Sequence, residues 1–161
     1  MNEIYIEQVR EVTAELVEAM ARLLPQLTTH HPAPSPRDLE QLLRSEASLL
    51  FVARWPAAQN RIVGTLTLIL YRLPSGLRAR IEDVVVDEAY RGQGIGEALL
   101  RHALEIAARR GADGVALTSN PRRLAANRLY QRLGFARWET NTYFYRFTPA
   151  AESADRPQDD R

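Results

Sequence analysis

The feature of this sequence that most constrains its fold is a glycine-rich loop between an apolar strand and a helix. The strand, predicted over 79–87, has the apolar centre Val84-Val85-Val86, which is typical of a strand covered on both faces. The loop Arg91 to Gly96 holds three glycines in its last five residues, and a helix follows to about Arg110. Because glycine permits unusual backbone angles, the amides of such a loop can converge on an anion. The pattern predicts a phosphate or pyrophosphate site; a plain strand-to-helix turn is the alternative.

The rest of the chain alternates strands and helices in a way that predicts one domain. Strands are predicted over 4–9, 48–54, 61–72, 79–87, 114–119, 135–138 and 142–148, and helices over about 12–27, 36–44, 95–110 and 122–133. The order β-α-α-β-β-β-α-β-α-β-β predicts an α/β (α+β) fold, a mixed and mostly antiparallel sheet of about seven strands with four helices on both faces. The domain is expected over 1–148. The tail 149–161 has no large apolar residue and is expected to be disordered.

The composition excludes several kinds of chemistry. The 161 residues include no cysteine and three histidines, so neither a thiolate nucleophile nor a metal site is expected. All 21 basic residues are arginine, which rules out a lysine Schiff base, and 20 acidic residues leave a formal net charge of +1. Without a basic excess, no nucleic-acid partner is expected. No apolar run reaches the roughly 18 residues of a membrane helix, and no signal peptide is evident, so we expect a cytoplasmic protein without a membrane partner.

A second informative stretch lies about thirty residues after the glycine-rich loop. It runs from Asn120 to Phe135 and is predicted to be mostly helical up to Gly134. On a helix, Arg123, Asn127 and Tyr130 share one face because they are four and three residues apart. By itself, this polar stripe is typical of a solvated helix face.

Together, the two stretches resemble those of the GNAT superfamily of N-acetyltransferases, which use acetyl-coenzyme A (acetyl-CoA). The loop Arg91-Gly92-Gln93-Gly94-Ile95-Gly96 matches that family's Arg/Gln-x-x-Gly-x-Gly/Ala motif. The run Asn127-Arg128-Leu129-Tyr130-Gln131-Arg132-Leu133-Gly134-Phe135 is similar to its second motif, an asparagine, a tyrosine and then Gly-Phe. The order of strands and helices fits as well. The resemblance covers about 4–148 and implies a GNAT fold for the predicted domain.

The resemblance implies where acetyl-CoA binds. Amides of the loop would hold the pyrophosphate. The backbone of the central strand would pair with the pantetheine arm like an added strand, where it splays from strand 114–119. The implied cofactor-binding residues are Val84, Val85, Val86, Arg91, Gly92, Gln93, Gly94, Ile95, Gly96, Asn127 and Tyr130. Arg123 is either a phosphate ligand or a surface arginine, and no metal is implied.

The resemblance also implies that an amine attacks the thioester directly, without a covalent relay. Glu82 and Asp83, at the start of the central strand, are the candidate bases that remove the amine proton. Neighbours on a strand point to opposite faces, so only one should face the acceptor, and we favour Glu82. A solvated or ion-paired strand end is the alternative. A backbone amide at Val85 or Val86 is the candidate oxyanion donor, and Tyr130 is the candidate acid for the leaving thiolate.

The sequence does not choose the acceptor, which can be a small-molecule amine, a peptide N-terminus or a protein lysine. In the family, the loop holding His30 and His31 and the loop between Trp138 and Tyr143 help to form the acceptor pocket. A solvated loop and cross-strand packing are the alternatives. His102 is expected to pack near the apolar stripe of its helix.

Two other classes of function stay open at this point. One is a coenzyme A-binding regulatory or interaction module without turnover, and the other is a nucleotide-binding protein that uses the glycine-rich loop. Keeping Glu82, Asp83 and Tyr130 together favours the enzyme. Because dimers are common in the family, a homodimer is a further expectation, which the residues themselves do not establish.

Overall fold

The protein's computed structural model describes residues 3–147, and a five-stranded mixed sheet forms its centre. The strands are β1 (Tyr5–Gln8), β2 (Ser48–Trp55), β3 (Arg61–Leu73), β4 (Gly76–Val86) and β5 (Val115–Ala116), which lie in this order across the sheet. Neighbouring strands from β1 to β4 are antiparallel, whereas β5 runs parallel to β4. The predicted α/β class and the mostly antiparallel sheet are confirmed.

Four helices occur in the described part of the chain. They are α1 (Ala14–Leu23), α2 (Pro36–Arg44), α3 (Ile95–Arg109) and α4 (Leu124–Arg132). Polar side chains determine where the first two begin. The Thr13 hydroxyl accepts a hydrogen bond from the Leu16 amide at 3.1 Å, and Ser35 forms a capping box with Asp38.

Helices cover both faces of the sheet in the part of the chain up to Thr118. Leu50 and Val52 of β2 belong to a buried apolar cluster that α1 and α2 complete. Its other members are Leu16, Ala19, Met20, Leu23, Leu39, Ile62 and Val85. Phe51, between Leu50 and Val52, points to the opposite face, where its ring meets that of His102 in α3 edge-on at 4.9 Å between centroids. His102 therefore packs against the sheet, as the sequence predicts.

A glycine in β3 lets α3 lie close to the sheet. A Cβ atom at Gly64 would be 3.2 Å from Ile95 Cγ2, from Leu99 Cδ1 and from the Val85 carbonyl oxygen. These distances are shorter than ordinary van der Waals contact, so any larger residue would push the first turns of α3 outwards. Gly64 thus helps to determine where the glycine-rich loop meets its helix.

The prediction of seven strands is wrong for residues 3–147. Residues 135–147 form neither helix nor strand, and β5 has two residues instead of the predicted 114–119. Aromatic and β-branched residues favour a strand only where a paired neighbour and a covered face receive them, and here the large side chains are exposed. The exposed fractions are 79% for Trp138, 87% for Tyr143, 73% for Phe144, 81% for Tyr145 and 91% for Phe147.

The chain divides into two compact units, one up to Thr118 and one from Ser119. The first contains β1 to β5 and α1 to α3, and the second contains α4 and the segment after it. The domain bounds of 1–148 stay a prediction. The tail predicted over 149–161 lies outside the described residues, as does the last residue of the strand predicted over 142–148.

Candidate active site

The glycine-rich loop has a left-handed backbone at two positions. Gly92 has a φ of +77° and Gly94 a φ of +81°, a region that residues with a side chain rarely adopt. A Cβ atom at either position would meet nothing within 4 Å, so glycine is required here by the backbone angle and not by crowding. The Arg91 side chain joins the loop to β4, because its Nε donates to the Val86 carbonyl oxygen at 3.1 Å.

The loop ends at the N-terminus of α3, where Gly94 is the N-cap. Among residues 3–147, no side chain caps this helix end. The Ala98 amide donates to the Gly94 carbonyl at 3.0 Å, so the amides of Ile95 to Glu97 have no acceptor within the helix. Arg91 to Gly94 are exposed. Amides at the positive end of a helix dipole suit an anion such as a pyrophosphate.

A β-bulge lies at the predicted catalytic pair in β4. Where β3 has the single residue Leu66, β4 has two, Asp83 and Val84. Asp83 has a φ of +51°, a conformation that aspartate tolerates better than most residues with a side chain. The bulge interrupts the simple alternation of faces, so Glu82 and Val85 point to the same face although they are three residues apart.

Glu82 lies on the sheet face that α1 and α2 cover. It is opposite Thr67, which is opposite Leu50 of the buried cluster, and directly opposed residues share a face. Arg80 Nε donates to Glu82 Oε1, and Arg80 Nη2 donates to Thr118 Oγ1 at 3.3 Å. The side chains of Glu82 and Arg80 are 39% and 35% exposed, so solvent reaches the pair. The ion pair of the alternative interpretation is present, and the role of Glu82 as base stays a prediction.

The ladder between β4 and β5 ends before the bulge. It consists of the pairs Ala79–Val115 and Arg80–Ala116. On its other side, β4 stays paired with β3 past the bulge, as far as Val86. The stretch Val84–Val86 therefore extends past the β5 ladder, and the splay between these two strands stays a prediction.

In the second unit, α4 follows a tight turn between Asn120 and Arg123. The Arg123 amide donates to the Asn120 carbonyl at 3.0 Å, and the Arg122 amide donates to Asn120 Oδ1 at 2.8 Å. Asn127 Nδ2 donates to the carbonyl oxygens of Asn120 and Arg123, each at 2.9 Å. The Asn127 side chain thus joins this turn to the helix, and its contact with the cofactor stays a prediction.

Tyr130 lies within α4 and is 6% exposed. Burial raises the pKa of its phenol above the ordinary value, and the positive charge of Arg123 opposes part of that rise. The Tyr130 ring meets the Phe135 ring edge-on at 5.9 Å between centroids. Gly134, with a φ of +96°, reverses the chain between them. The Gly-Phe end of the second motif therefore packs against the tyrosine of the same motif.

The ion pairs of two residues close to these segments, Arg80 and Asp87, were not predicted from the sequence. Arg80 had a local signal, because residues two apart on a strand share a face and Arg80 precedes Glu82 by two. Asp87, at the end of β4, is buried and pairs with Arg22, which is 65 residues away. No local pattern could have indicated a pair so distant in sequence.

The residues predicted to form the acceptor pocket lie on exposed segments. His30 and His31 are in the exposed loop between α1 and α2, where the His30 amide donates to Thr28 Oγ1 at 3.3 Å. Trp138 and Tyr143 are exposed in the segment after α4. Their roles toward an acceptor stay predictions.

None of the helices within residues 3–147 has the length and apolar character needed to cross a membrane. Over the same residues, no cluster of three or more histidine, aspartate or glutamate side chains is arranged to hold a metal ion.

The bulge in β4, the left-handed glycine loop and the start of α3 lie on one continuous segment, residues 82–96. The model of the acetyltransferase (GNAT) family matches residues 15–135. The chain belongs to this family, as the resemblance in its two motifs predicts. Acetyltransferases of the GNAT family use acetyl-CoA as the acetyl donor.

Several relatives are similar over part of the chain. A glucosamine 6-phosphate N-acetyltransferase of Trypanosoma brucei brucei is 42% identical over 79 residues, which are 47% of this chain and 52% of that protein. A probable glucosamine 6-phosphate N-acetyltransferase 2 of Oryza sativa subsp. japonica is 36% identical over 115 residues, 69% of this chain and 66% of that protein. The chain spans about half the length of curated relatives such as the trypanosome protein.

The fold is also similar to that of solved structures. The crystal structure of a Trypanosoma brucei acetyltransferase superposes with a TM-score of 0.70 at 27% identity, covering 89% of this chain and 99% of that chain. This likeness confirms the predicted GNAT fold.

Proposed function

We propose that this chain is an N-acetyltransferase that moves the acetyl group of acetyl-CoA directly to a primary amine in a ternary complex. The observation that carries the proposal is the continuous segment 82–96. It joins a candidate base at a β-bulge to a left-handed glycine loop and an uncapped helix N-terminus. Family membership supports the donor, because GNAT acetyltransferases use acetyl-CoA.

The proposed cofactor contacts follow this segment. Backbone amides of Arg91, Gly92, Gln93, Gly94, Ile95 and Gly96 bind the pyrophosphate, with the dipole of α3 adding positive potential. The backbone of Val84, Val85 and Val86 binds the pantetheine arm in the manner of an added strand, beyond the end of the β5 ladder. Asn127 of the second motif is a further proposed contact.

The first proposed step of the chemistry is loss of a proton by the acceptor. An alkylammonium has a pKa near ~10, so a base must take its proton before the nitrogen can attack. Glu82 is the proposed base, directly or through water. It shares a face with the α1–α2 cluster, and its ion pair with Arg80 is half exposed. Asp83 is the alternative base within the same bulge.

The next proposed steps place charge and protons on fixed donors. The amine nitrogen bonds to the thioester carbonyl carbon, while an amide at Val85 or Val86 donates to the carbonyl oxygen. The carbon–sulfur bond then breaks, and Tyr130 gives its proton to the leaving sulfur. The phenol holds that proton at neutral pH, and burial, which raises its pKa, makes the transfer to sulfur more uphill than from an exposed tyrosine. The nitrogen, now bonded to the acetyl carbon, loses its excess proton, which restores the Tyr130 phenol, and Glu82 releases the first proton to solvent. The products are an amide and the free thiol of coenzyme A.

The proposed acceptor is a small-molecule amine. Two relatives that support this class are named glucosamine 6-phosphate N-acetyltransferases, and another, from Streptomyces lavendulae, is named streptothricin acetyltransferase. Peptide and protein amines belong to the test, because a further relative of Schizosaccharomyces pombe is named N-alpha-acetyltransferase 30.

Release of the coenzyme A thiol tests the proposal. The wild-type protein is incubated with acetyl-CoA and a panel of amino sugars, aminoglycosides, polyamines and peptides. We expect thiol release that depends on one class of amine. Glu82→Gln and Asp83→Asn are compared on that amine, and the larger loss identifies the base. Tight coenzyme A binding without thiol release on any amine would mean a binding module and not an enzyme.

A further inference from the structure

Asp87 is the one charged residue that is buried among residues 3–147, and the proposed reaction does not use it. Asp87 is the first residue after β4 and is 6% exposed. Its Oδ1 accepts from the Ala89 amide at 3.1 Å, and its own amide donates to the Val63 carbonyl at 2.8 Å. The carboxylate thus shapes the 3-10 turn Glu88–Tyr90, which leads directly into the glycine-rich loop.

The partner of Asp87 comes from the end of α1. Arg22 Nη1 donates to Asp87 Oδ2, and Arg22 Nη2 donates to the Ile62 carbonyl oxygen at 2.7 Å. Arg22 Nε is buried and has no hydrogen-bond partner in the described part of the chain. Burying a hydrogen-bond donor without a partner lowers the stability of the folded protein. The contacts of Arg22 with Asp87 and Ile62 must offset this loss.

A second contact runs between the same two segments. Gln26, one helical turn after Arg22, accepts a hydrogen bond from the Glu88 amide through its Oε1 at 2.8 Å. Its Nε2 donates to the Arg22 carbonyl at 3.2 Å, which links the two anchoring side chains. Two consecutive residues, Asp87 and Glu88, therefore form hydrogen bonds with Arg22 at the end of α1 and with Gln26 in the 3-10 helix that follows it.

We propose that Arg22 and Gln26 are positioning residues that hold the turn before the glycine-rich loop and thereby set the affinity for acetyl-CoA. The inference rests on the proposed function, because it assumes that the loop binds the cofactor. Neither residue touches the cofactor in this account. Both act through the turn, since small displacements of a binding segment reduce affinity strongly.

The test compares coenzyme A binding in matched arginine variants. Arg22→Gln removes the pair with Asp87. Arg54→Gln is the control, because Arg54 is as little exposed and forms two ion pairs, with Glu7 and Glu15, away from the loop. By calorimetry we expect Arg22→Gln to weaken coenzyme A binding about tenfold or more. The KM for acetyl-CoA should rise by the same factor with kcat nearly unchanged, and Arg54→Gln should bind like the wild type.

Two further variants keep the test decisive. Arg22→Lys keeps the charge but not both contacts of the guanidinium, so its affinity should fall between the wild type and Arg22→Gln. If Arg22→Gln does not fold, Gln26→Leu decides, because it removes the bonds to the Glu88 amide and the Arg22 carbonyl and leaves the pair of Arg22 with Asp87 in place. We expect a several-fold weaker coenzyme A affinity for it, and wild-type affinity would overturn the inference.

Hydrogen exchange of the protein without cofactor separates this inference from the proposed function. Arg22→Gln, or Gln26→Leu in its place, should speed exchange in a peptide covering 87–96 and leave β2 unchanged. Unchanged exchange at 87–96, together with wild-type coenzyme A affinity, would refute the positioning role. If the variant speeds exchange at 87–96 but the wild-type protein binds no coenzyme A, the contacts of Arg22 and Gln26 do hold the turn, and the proposed function is refuted.

Discussion

The two helices that contain residues of the family motifs, α3 and α4, begin in different ways. α3 starts at a left-handed glycine, Gly94, and no described side chain caps its first amides. α4 has Arg123 as its N-cap, also without a side-chain cap, but its first amide, that of Leu124, donates to the Arg122 carbonyl at 2.9 Å, and Asn127 donates to carbonyl oxygens of the same turn. The two helix starts therefore differ in their backbone: the turn before α4 is bonded to its own helix, whereas a left-handed glycine leads into α3.

This difference indicates a division of tasks between the two motifs. An uncapped helix N-terminus attracts phosphate, so the first motif is suited to hold the cofactor. The second motif holds a phenol in the middle of α4, where burial raises its pKa and Phe135 packs against its ring. A buried and still protonated phenol is suited to deliver a proton. If the tasks are divided in this way, changes in the first motif should alter coenzyme A affinity, and changes in the second should alter turnover.

The largest effect is expected for Tyr130→Phe, which removes one proton donor and almost no surface. Turnover should fall by roughly 10²- to 10⁴-fold, the usual contribution of a general acid. Coenzyme A affinity measured by calorimetry should stay near that of the wild type. Tyr5→Phe, at a tyrosine that is 58% exposed, is the control and should leave turnover unchanged. Unchanged turnover in Tyr130→Phe would remove the second motif from the chemistry.

The next effect is expected for Gly94→Glu, which alters the other helix end. The substitution places a side chain on a left-handed backbone and a negative charge beside the proposed pyrophosphate site. Coenzyme A binding should weaken by roughly 100-fold in calorimetry. The thermal unfolding midpoint should fall as well, because a residue with a side chain is strained at a φ of +81° even though its Cβ atom meets nothing within 4 Å. A variant that binds coenzyme A normally would contradict the assignment of this loop.

A smaller effect on binding is expected for Gly64→Ala, which acts on the first motif through packing. Its Cβ atom would crowd Ile95, Leu99 and the Val85 carbonyl, each at 3.2 Å. Overpacking of this kind costs about 1–3 kcal/mol, so the unfolding midpoint should fall and coenzyme A affinity should drop several-fold. Gly114→Ala is the control, because a Cβ atom there meets nothing within 4 Å. Equal effects of the two variants would mean that α3 tolerates displacement.

The smallest effects concern pH. Because burial raises the pKa of Tyr130, the alkaline fall in kcat should lie above pH ~10 and be absent in Tyr130→Phe. Arg123→Gln removes a positive charge that lowers this pKa, so the fall should move to still higher pH. The same raised pKa stabilises the folded protein fully below the pKa of an unfolded tyrosine, and this contribution is lost as pH rises above it. A fall below pH 10 that also occurs in Tyr130→Phe would belong to another group.

Features with a local cause could be predicted from the sequence. The glycine-rich loop, the four helices and strands β1 to β4 follow from periodicity and from local residue chemistry such as the Ser35 cap. The strands predicted over 135–138 and 142–148 were wrong, because aromatic alternation reports propensity and not the presence of a pairing partner.

Features of the site that depend on distant residues were not predictable. The bulge at Asp83 arises from a mismatch in register between β3 and β4, which no single strand reveals. The anchor at Asp87 joins residues 65 positions apart. Glu82 could be proposed as a base from its place in the strand, but its pairing with Arg80 required the structure.

The left-handed glycine loop before α3, whose helix has no side-chain cap among residues 3–147, is the proposed binding site for the pyrophosphate of coenzyme A. Its most direct test is calorimetry of the wild-type protein with coenzyme A and with pantetheine, which has the same thiol arm but no pyrophosphate. We predict that coenzyme A binds at least roughly 100-fold more tightly than pantetheine, and that Gly94→Glu removes most of this difference. Equal binding of the two molecules, or no heat with coenzyme A, would contradict the account.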